Sequence, residues 1–314
     1  EDFATSIYEK VKMNNRTRYL SLCNYLKEKH KIIVKDILPE ENRPFSKIFL
    51  PEKKEFHLSD LLNLETKKLY TAALVAQLEA DDVIEEYLDD FSFPSVTSRK
   101  VSKVALLNYA GAAIIMPYEI FFHECVKKHR YDLELLQSTF AVSFEQVCHR
   151  VTCLNNPDPK LRGIPLHMIR VDRSGNVSKR FSLSGIELPR LSGACPKWNV
   201  YSAFSNPGKI SAAVSKMTDG EKYVCIARTV EKGISKYGEE KGLLSIGLGC
   251  QIKYAKDFVY ADRLNLGDEK SESKIGVSCR KCDRLDCSQR AFPPDTQNYD
   301  VNINQRGVSI FVTG

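Results

Sequence analysis

No stretch of this chain reaches the ~18 uninterrupted apolar residues that a membrane-spanning helix requires. The opening Glu1-Asp2-Phe3 lacks the basic-then-apolar layout of a secretory signal. The expected class is therefore a soluble, non-secreted, cytoplasmic protein. A chain that begins with glutamate rather than methionine also leaves room for a further N-terminal domain. Charge of one sign is scarce: 46 Lys and Arg against 40 Asp and Glu give a net +6, with the basic residues scattered. Such a balance points to a solvated, lysine-rich surface before it points to a dedicated nucleic-acid patch. Internal repeats and low-complexity tracts are missing as well.

Catalytic patterns are equally thin. A zinc peptidase needs His-Glu-x-x-His on a helix, with two imidazoles on one face and Glu as base. The apolar helical stretch from Leu61 to Asp81 has no histidine. The nearest match, His123-Glu124-Cys125-Val126-Lys127, puts a lysine in the second ligand position. An ammonium cannot ligate zinc without losing its proton, so His123 reads as a surface or helix-face residue. There is no Gly-x-Ser-x-Gly elbow and no phosphate loop, and Gly247-Leu248-Gly249 alone fits a strand end. No enzymatic activity is expected.

What is present is a chain of 314 residues, 43% apolar, enough for a well-buried core and two domains. Phe3 to Leu154 reads as mainly helical. Leu62, Leu69, Ala73, Ala76 and Ala80 fall on one helical stripe. A second apolar helix runs from Val101 through Ala113 and should stop near Met116-Pro117, because proline disfavours helix at the residue before it. Ser143 and Gln146 have capping-box spacing, and Val147, Val151 and Leu154 continue on one face. This segment superficially resembles a DNA-recognition helix carrying His149 and Arg150, but a structural helix is the preferred reading.

Asn155-Asn156-Pro157-Asp158-Pro159 breaks the pattern and marks the boundary between domains at residues 1–154 and 160–314. Beyond it, Met168 to Asp172, a turn at Arg173-Ser174-Gly175-Asn176, and Val177 to Phe181 form a hairpin. Tyr223 to Thr229, Leu243 to Ile252 and Phe258 to Ala261 read as further strands, and Lys209 to Lys216 as a short helix. The expected fold class is α+β, with the second domain built on an antiparallel sheet.

The ten cysteines are unevenly placed. Cys23, Cys125, Cys148 and Cys153 lie singly among apolar residues, as small buried hydrophobes do. Cys279, Cys282 and Cys287 fall within nine residues, and in a non-secreted chain such a cluster is a metal or redox site more often than a disulfide framework. Two cysteines three apart can grip one centre, and the third is near enough to complete a facial set. Thiolates serve both iron–sulfur clusters and zinc. Reduced thiols without metal are the third possibility. Arg280, Lys281, Arg284 and Arg290 would favour thiolates and offset a cluster's negative charge. A fourth ligand must come from elsewhere, and the candidates are Cys195 and Cys250. Cys195 is favoured because it lies in a glycine-flanked loop and precedes Pro196, whereas Cys250 ends an apparent strand.

The run Cys279-x2-Cys282-x4-Cys287-Ser288-Gln289-Arg290-Ala291-Phe292-Pro293-Pro294 resembles the C-terminal signature of the short-chain fatty acyl transcriptional regulators, which include regulators of propionate and glyoxylate-cycle genes. Ala112 to Tyr118, Tyr131-Asp132-Leu133-Glu134-Leu135-Leu136, Val142 to Arg150, Gly175 to Phe181, Cys195-Pro196-x-Trp198-Asn199-Val200 and Val259-Tyr260-Ala261-Asp262 match as well. The likeness is firm from about Ala112 onward and vague before Leu61. It implies a helix-turn-helix domain, then a degenerate metallopeptidase-like helical domain, then an effector domain holding a [4Fe–4S] cluster and sensing coenzyme A or acyl-coenzyme A. No convincing helix-turn-helix precedes Leu61.

On that resemblance the chain is expected to be the ligand-sensing portion of a bacterial transcriptional regulator of short-chain acyl metabolism. Its partners would be coenzyme A or an acyl-coenzyme A, DNA through a helix-turn-helix not evident in this chain, and a second copy of itself. The expected cluster ligands are Cys195, Cys279, Cys282 and Cys287. Coenzyme A needs cations for its phosphates and a flat wall for adenine, and Lys179, Arg180, Lys197, Trp198 and Arg228 supply those types. The alternative is a zinc- or iron–sulfur-structured redox or binding protein with no direct DNA role.

Overall fold

Short polar residues ahead of apolar runs start several helices in the first half of the chain. The computed structural model describes residues 1–11, 17–38, 45–190, 193–233, 238, 240–284, 286–295, 303–304 and 311. The chain divides into two units. The first comprises Glu1–Lys128, Leu133–Arg150 and Gly233–Lys241, and the second His129–Asp132, Val151–Lys232 and Gly242–Gly314.

The first unit contains, in order, α1 (Asp2–Lys10), α2 (Arg18–His30), β1 (Ile33–Ile37), β2 (Lys47–Leu50), β3 (Glu55–Ser59), α3 (Leu64–Glu79), α4 (Asp81–Asp89), α5 (Val96–Ile115), α6 (Tyr118–Phe122), a π-turn at His123–Lys128, α7 (Leu133–Phe140) and α8 (Phe144–Val151). Asn63 caps α3 by accepting the Thr66 N–H at 3.0 Å. Ser95 and Ser98 cap α5 reciprocally. At α8 the Gln146 N–H donates to Ser143 Oγ at 3.2 Å, and the Ser143 N–H donates to Gln146 Oε1 at 2.9 Å, closing the capping box read from the sequence. α3 is buried on every side from Thr71 to Ala76, as the central helix of a unit must be. α5 crosses it closely at Gly111, where a Cβ would stand 2.8 Å from the Ala73 nitrogen. α5 runs to Ile115, and Pro117 begins a new direction at α6.

Helices α5 and α7 leave their last carbonyls inside the unit, and two cations close them. Arg18 donates to the carbonyls of Ile115 at 2.9 Å and Phe140 at 3.0 Å. The Lys68 ammonium donates to the carbonyls of Phe140 and Ala141. Cations at helix C-termini satisfy both the orphan carbonyls and the dipole. Burial, with the Arg18 charge behind it, pushes Lys68 down to about 8.

The mainly helical reading of this region omits a small sheet of order β1-β3-β2, in which β1 runs parallel to β3 and β2 antiparallel to it. Its central strand alternates, with Phe56 and Leu58 buried. No single helix among the described residues is long and apolar enough to cross a membrane. α5 and the following helical turn pass such a test only as a pair bent by 70°.

In the second unit, β4 (Leu166–Asp172) and β5 (Val177–Ser182) form the expected hairpin, closed by the Asp172 carboxylate, which accepts the Asn176 N–H at 2.9 Å. Gly175 takes φ +87° in this turn. After α9 (Asn199–Ser202) come β6 (Ser211–Lys216), β7 (Lys222–Lys232), β8 (Gly242–Gln251) and β9 (Ser273–Lys274). The sheet order is β5-β4-β8-β7-β6-β9, antiparallel throughout except for the β6–β9 pair. The molecule is α+β.

Two expectations are corrected. Lys209 to Lys216 is not a helix: Ser211–Lys216 is strand β6, paired along its length with β7, and that hairpin partner overrides a weak local preference. Phe258 to Ala261 is not a strand but part of a run of 3₁₀ turns. Ala255, Phe258 and Ala261 are the buried residues there, and a spacing of three is the 3₁₀ period.

Candidate metal centre

Strand alternation gives the six-stranded sheet two faces of different character. One carries Ile169, Val171, Tyr223, Cys225 and Ala227 and is covered by Cys195, Trp198, Val200, Ile275 and Val277. The other carries Met168, Ile226, Leu248 and Cys250.

Cys195 sits in the first of these layers, 8% exposed. The backbone amides of Gly276 and Lys197 and the thiols of Cys282 and Cys279 are the neighbours that act on its sulfur. Burial is the largest influence on the Cys195 thiol and pushes it up; the two amides pull it down, and the neighbouring cysteines raise it further. A turn joins Cys279 to Cys282, whose N–H donates to the Cys279 carbonyl. Gly276 faces Cys282 so closely that a Cβ there would stand 2.8 Å from the sulfur. Only glycine leaves that sulfur its place. Cys287, half-buried, follows at the far end of the loop.

Cys250 is elsewhere. It is fully buried inside β8 on the opposite face, and burial pushes its thiol up to about 12. Cys125 and Cys148 are buried as the sequence suggests, while Cys23 and Cys153 are half-buried.

Among the described residues, no three Cys, His, Asp or Glu side chains converge tightly enough to hold one metal ion. A four-iron cluster asks for something different: each thiolate binds its own iron, so the sulfurs stand farther apart than around a single zinc. The loop also holds donors in want of an acceptor. Nε of Arg284 and Nε of Arg290 are buried with no hydrogen-bond partner. Two buried guanidinium N–H groups without a partner, beside three cysteines, suit an anionic, sulfur-rich group.

The five cationic and aromatic residues selected for a coenzyme A site do not share one surface. Register places Lys179 opposite Arg170, Arg170 opposite Ile246, and Ile246 opposite Arg228. Cross-strand partners point the same way, so Lys179, Arg170 and Arg228 lie on one face, with buried Ile246 between the two arginines. Arg180 pairs with Ile169 on the other face and reaches the Arg190 carbonyl at 3.4 Å. Trp198 is 2% exposed in the core, its centroid 6.0 Å from that of His167, and it neighbours the Cys225 thiol. Lys197 is half-buried beside Cys195. Arg170 escaped the sequence selection, although counting outward from the Asp172–Val177 turn pairs it with Lys179.

A buried Cys–His pair also lies in this unit. His167 Nε2 is 3.7 Å from the Cys225 sulfur, and Nδ1 is 2.9 Å from Ser184 Oγ. Burial drives His167 down to about 3 and Cys225 up to about 11. Both are neutral, the reverse of an activated thiolate pair. The imidazole instead makes the fold acid-sensitive. Its unfolded pKa is near 6.5, so between ~6.5 and about 3 the unfolded chain binds the extra proton, and stability falls as pH drops through that window. At pH 4 the loss from this one group should be roughly 3 kcal/mol, at ~1.4 kcal/mol per unit. Proton NMR of the folded chain reads it directly: a His167 ring titrating near ~6 would defeat the claim.

Elsewhere, His123 is exposed at the start of the π-turn, and α3 carries no histidine, so no peptidase zinc site forms among the described residues. Arg150 is 1% exposed, which removes it from any DNA-reading surface on α8.

Residues 153–311 match the family described as short-chain fatty acyl coenzyme A regulator, C-terminal, and residues 28–152 match the IrrE N-terminal-like domain of the M78 peptidases. The HTH-type transcriptional regulator RamB of Mycobacterium tuberculosis is 38% identical over 83% of this chain and 55% of its own length. The propionyl-CoA carboxylase regulator of Cereibacter sphaeroides is 36% identical over 82% of this chain and 55% of its own. The chain thus spans about half the length of the curated relatives it matches. A solved Mycobacterium tuberculosis transcriptional regulator superposes with a TM-score of 0.90 at 29% identity, covering 99% of this chain and 94% of that one.

Proposed function

This chain belongs to the short-chain fatty acyl coenzyme A regulator family, and on that premise we propose that it is the ligand-sensing portion of a cytoplasmic bacterial transcriptional regulator of short-chain acyl metabolism. It holds a [4Fe–4S] cluster on Cys195, Cys279, Cys282 and Cys287 and binds coenzyme A or a short acyl thioester. DNA is read by a helix-turn-helix of the whole regulator, as the names of its relatives suggest. The chain performs no catalysis of its own: its helical unit lacks the zinc-binding histidine pair, and its buried Cys–His pair is neutral. The observation that carries the reading is the buried Cys195, with Gly276, Cys279 and Cys282 as its neighbours and with Gly276 leaving the Cys282 sulfur its place.

The ligand's phosphates are assigned to the sheet face that carries Lys179 beside Arg170, with Arg228 two strands further on past Ile246. Lys197 and Trp198 act through the Cys195 loop, the first beside the ligating sulfur and the second anchoring that loop in the core. Arg180, on the loop-covered face, would meet only a ligand segment that passes around the sheet edge. Because Cys195 adjoins Lys197, cluster and ligand are coupled through one loop, and such coupling is reciprocal, typically ~1–3 kcal/mol.

Anaerobically purified protein should show the broad visible absorbance of a [4Fe–4S] centre, with iron and sulfide in equal amounts. Cys195→Ser and Cys282→Ala should lose both, while Cys250→Ser keeps them. Calorimetry with coenzyme A on the same samples should give about 5–150-fold weaker binding once the cluster is lost. A colourless protein with stoichiometric zinc would reject the cluster, and absence of coenzyme A binding to loaded wild type would reject the sensor.

A further inference from the structure

Arg290 is 5% exposed and holds the cysteine loop by its backbone. One terminal nitrogen donates to the carbonyls of Cys279 at 2.8 Å and Phe292 at 3.1 Å. The other donates to the carbonyls of Cys282 and Arg284, both at 2.6 Å. Its own backbone N–H donates to the Cys287 carbonyl at 3.2 Å. One residue thus fastens the main chain at all three cysteines of the C-terminal triad. The remaining donor, Nε–H, is buried and unpartnered, and no carboxylate among the described residues pairs with the cation. A buried charge in that state is costly unless an anion answers it.

We infer that Arg290 is the positioning residue of the cysteine-held cluster: four terminal N–H bonds keep the Cys279–Cys287 loop in its ligating shape, and Nε–H donates to a sulfur of the cluster. The inference rests on the cluster reading above. A thiolate-bound cluster is anionic and more so when reduced, so a guanidinium beside it favours the reduced form and raises the potential. Arg284 has a different task. It ties the same loop to the β6–β7 turn through the carbonyls of Lys216 at 3.2 Å and Met217 at 2.8 Å. Lysine cannot replace Arg290, because a point-like ammonium does not span four carbonyls, although it does keep the charge.

The test separates shape from charge. Iron and sulfide are first measured in wild-type protein, and their absence would reject the cluster itself rather than the role of Arg290. With a loaded wild type, Arg290→Lys should release iron to a chelator about 10–100-fold faster, the usual cost of losing an outer partner of a metal ligand, at nearly unchanged potential. Arg290→Met should release it as fast and also shift the potential downward. Equal release rates in all three proteins would overturn the positioning role, and equal potentials in wild type and Arg290→Met would overturn the charge role. Should Arg290→Met fail to fold, a reduced Arg284→Lys variant produced with isotopically labelled arginine still decides the contact, because it removes the other buried Nε–H of the loop. A hyperfine coupling between the labelled nitrogen and the cluster spin is expected, and its absence would remove the Nε–H···S bond.

Discussion

Replacing Arg150 by alanine should lower the stability of the helical unit by about 2–4 kcal/mol, because it breaks a part-buried ion pair, removes a buried hydrogen bond and opens a cavity. The side chain is 1% exposed at the end of α8, and both terminal nitrogens reach the Glu1 carboxylate at 2.8 Å. Nε donates to the Met116 carbonyl at 3.0 Å, so the same guanidinium closes the end of α5. The rings of Tyr109, Tyr118 and Phe121 surround it at 5.7–5.9 Å. Hydrogen bonds from Arg150 and Tyr109 hold the Glu1 carboxyl below its usual range against the opposing effect of burial. Alanine would leave that carboxylate half-buried without its fork, the Met116 carbonyl without its donor, and a cavity among three aromatics. Arg150→Lys keeps the charge but not the bidentate geometry, and it should recover only part of the loss. Urea unfolding followed by the helical signal measures both. A loss below ~1 kcal/mol for Arg150→Ala would show that the pair is balanced by its own desolvation.

Where sequence features act locally, they were legible. The Asp172–Val177 turn, the α5 stop before Pro117 and the Ser143–Gln146 box all depend on residues within a few positions of one another, and each forms as read. The misses depend on distant partners. β6 is a strand because β7 lies beside it, and the Phe258–Ala261 run is 3₁₀ although four apolar residues in a row look like a buried strand. The small β1-β3-β2 sheet was hidden by helical neighbours on both sides. At the candidate site, the spacing of Cys279, Cys282 and Cys287 was plain, yet sequence could only rank Cys195 and Cys250. The sheet puts the two on opposite faces, a placement that depends on distant strand pairing. Arg290 was visible only as one basic residue among four near the cysteines. Its partners are backbone carbonyls, and these carry no side-chain signature.

The largest effect of a single methyl group should appear at Gly249, read from sequence as an ordinary strand-end glycine. In the sheet it stands inside β8, opposite His167 on β4 and Cys225 on β7. A Cβ there would lie 2.6 Å from the Val224 carbonyl oxygen and 2.7 and 2.8 Å from the His167 ring. The carbonyl belongs to a paired strand and cannot retreat without breaking the ladder. The imidazole cannot turn away either, because Ser184 and Cys225 hold its two nitrogens and the rings of Trp198 and Tyr223 lie 6.0 and 5.6 Å from it. Overpacking a tight core usually costs about 1–3 kcal/mol, and with rigid groups on both sides Gly249→Ala should reach or exceed the top of that range, about 3–5 kcal/mol. Trp198 is three residues beyond Cys195, so the damage should pass to the cysteine site, and on the proposed cluster reading the variant should lose iron faster even where it still folds. A double change, Gly249→Ala with His167→Ala, removes one of the two obstacles and should recover more stability than it costs if the ring is the harder wall. If Gly249→Ala melts within ~1 kcal/mol of wild type, the β8 backbone has room to shift and the close approach described here is not a constraint on the fold.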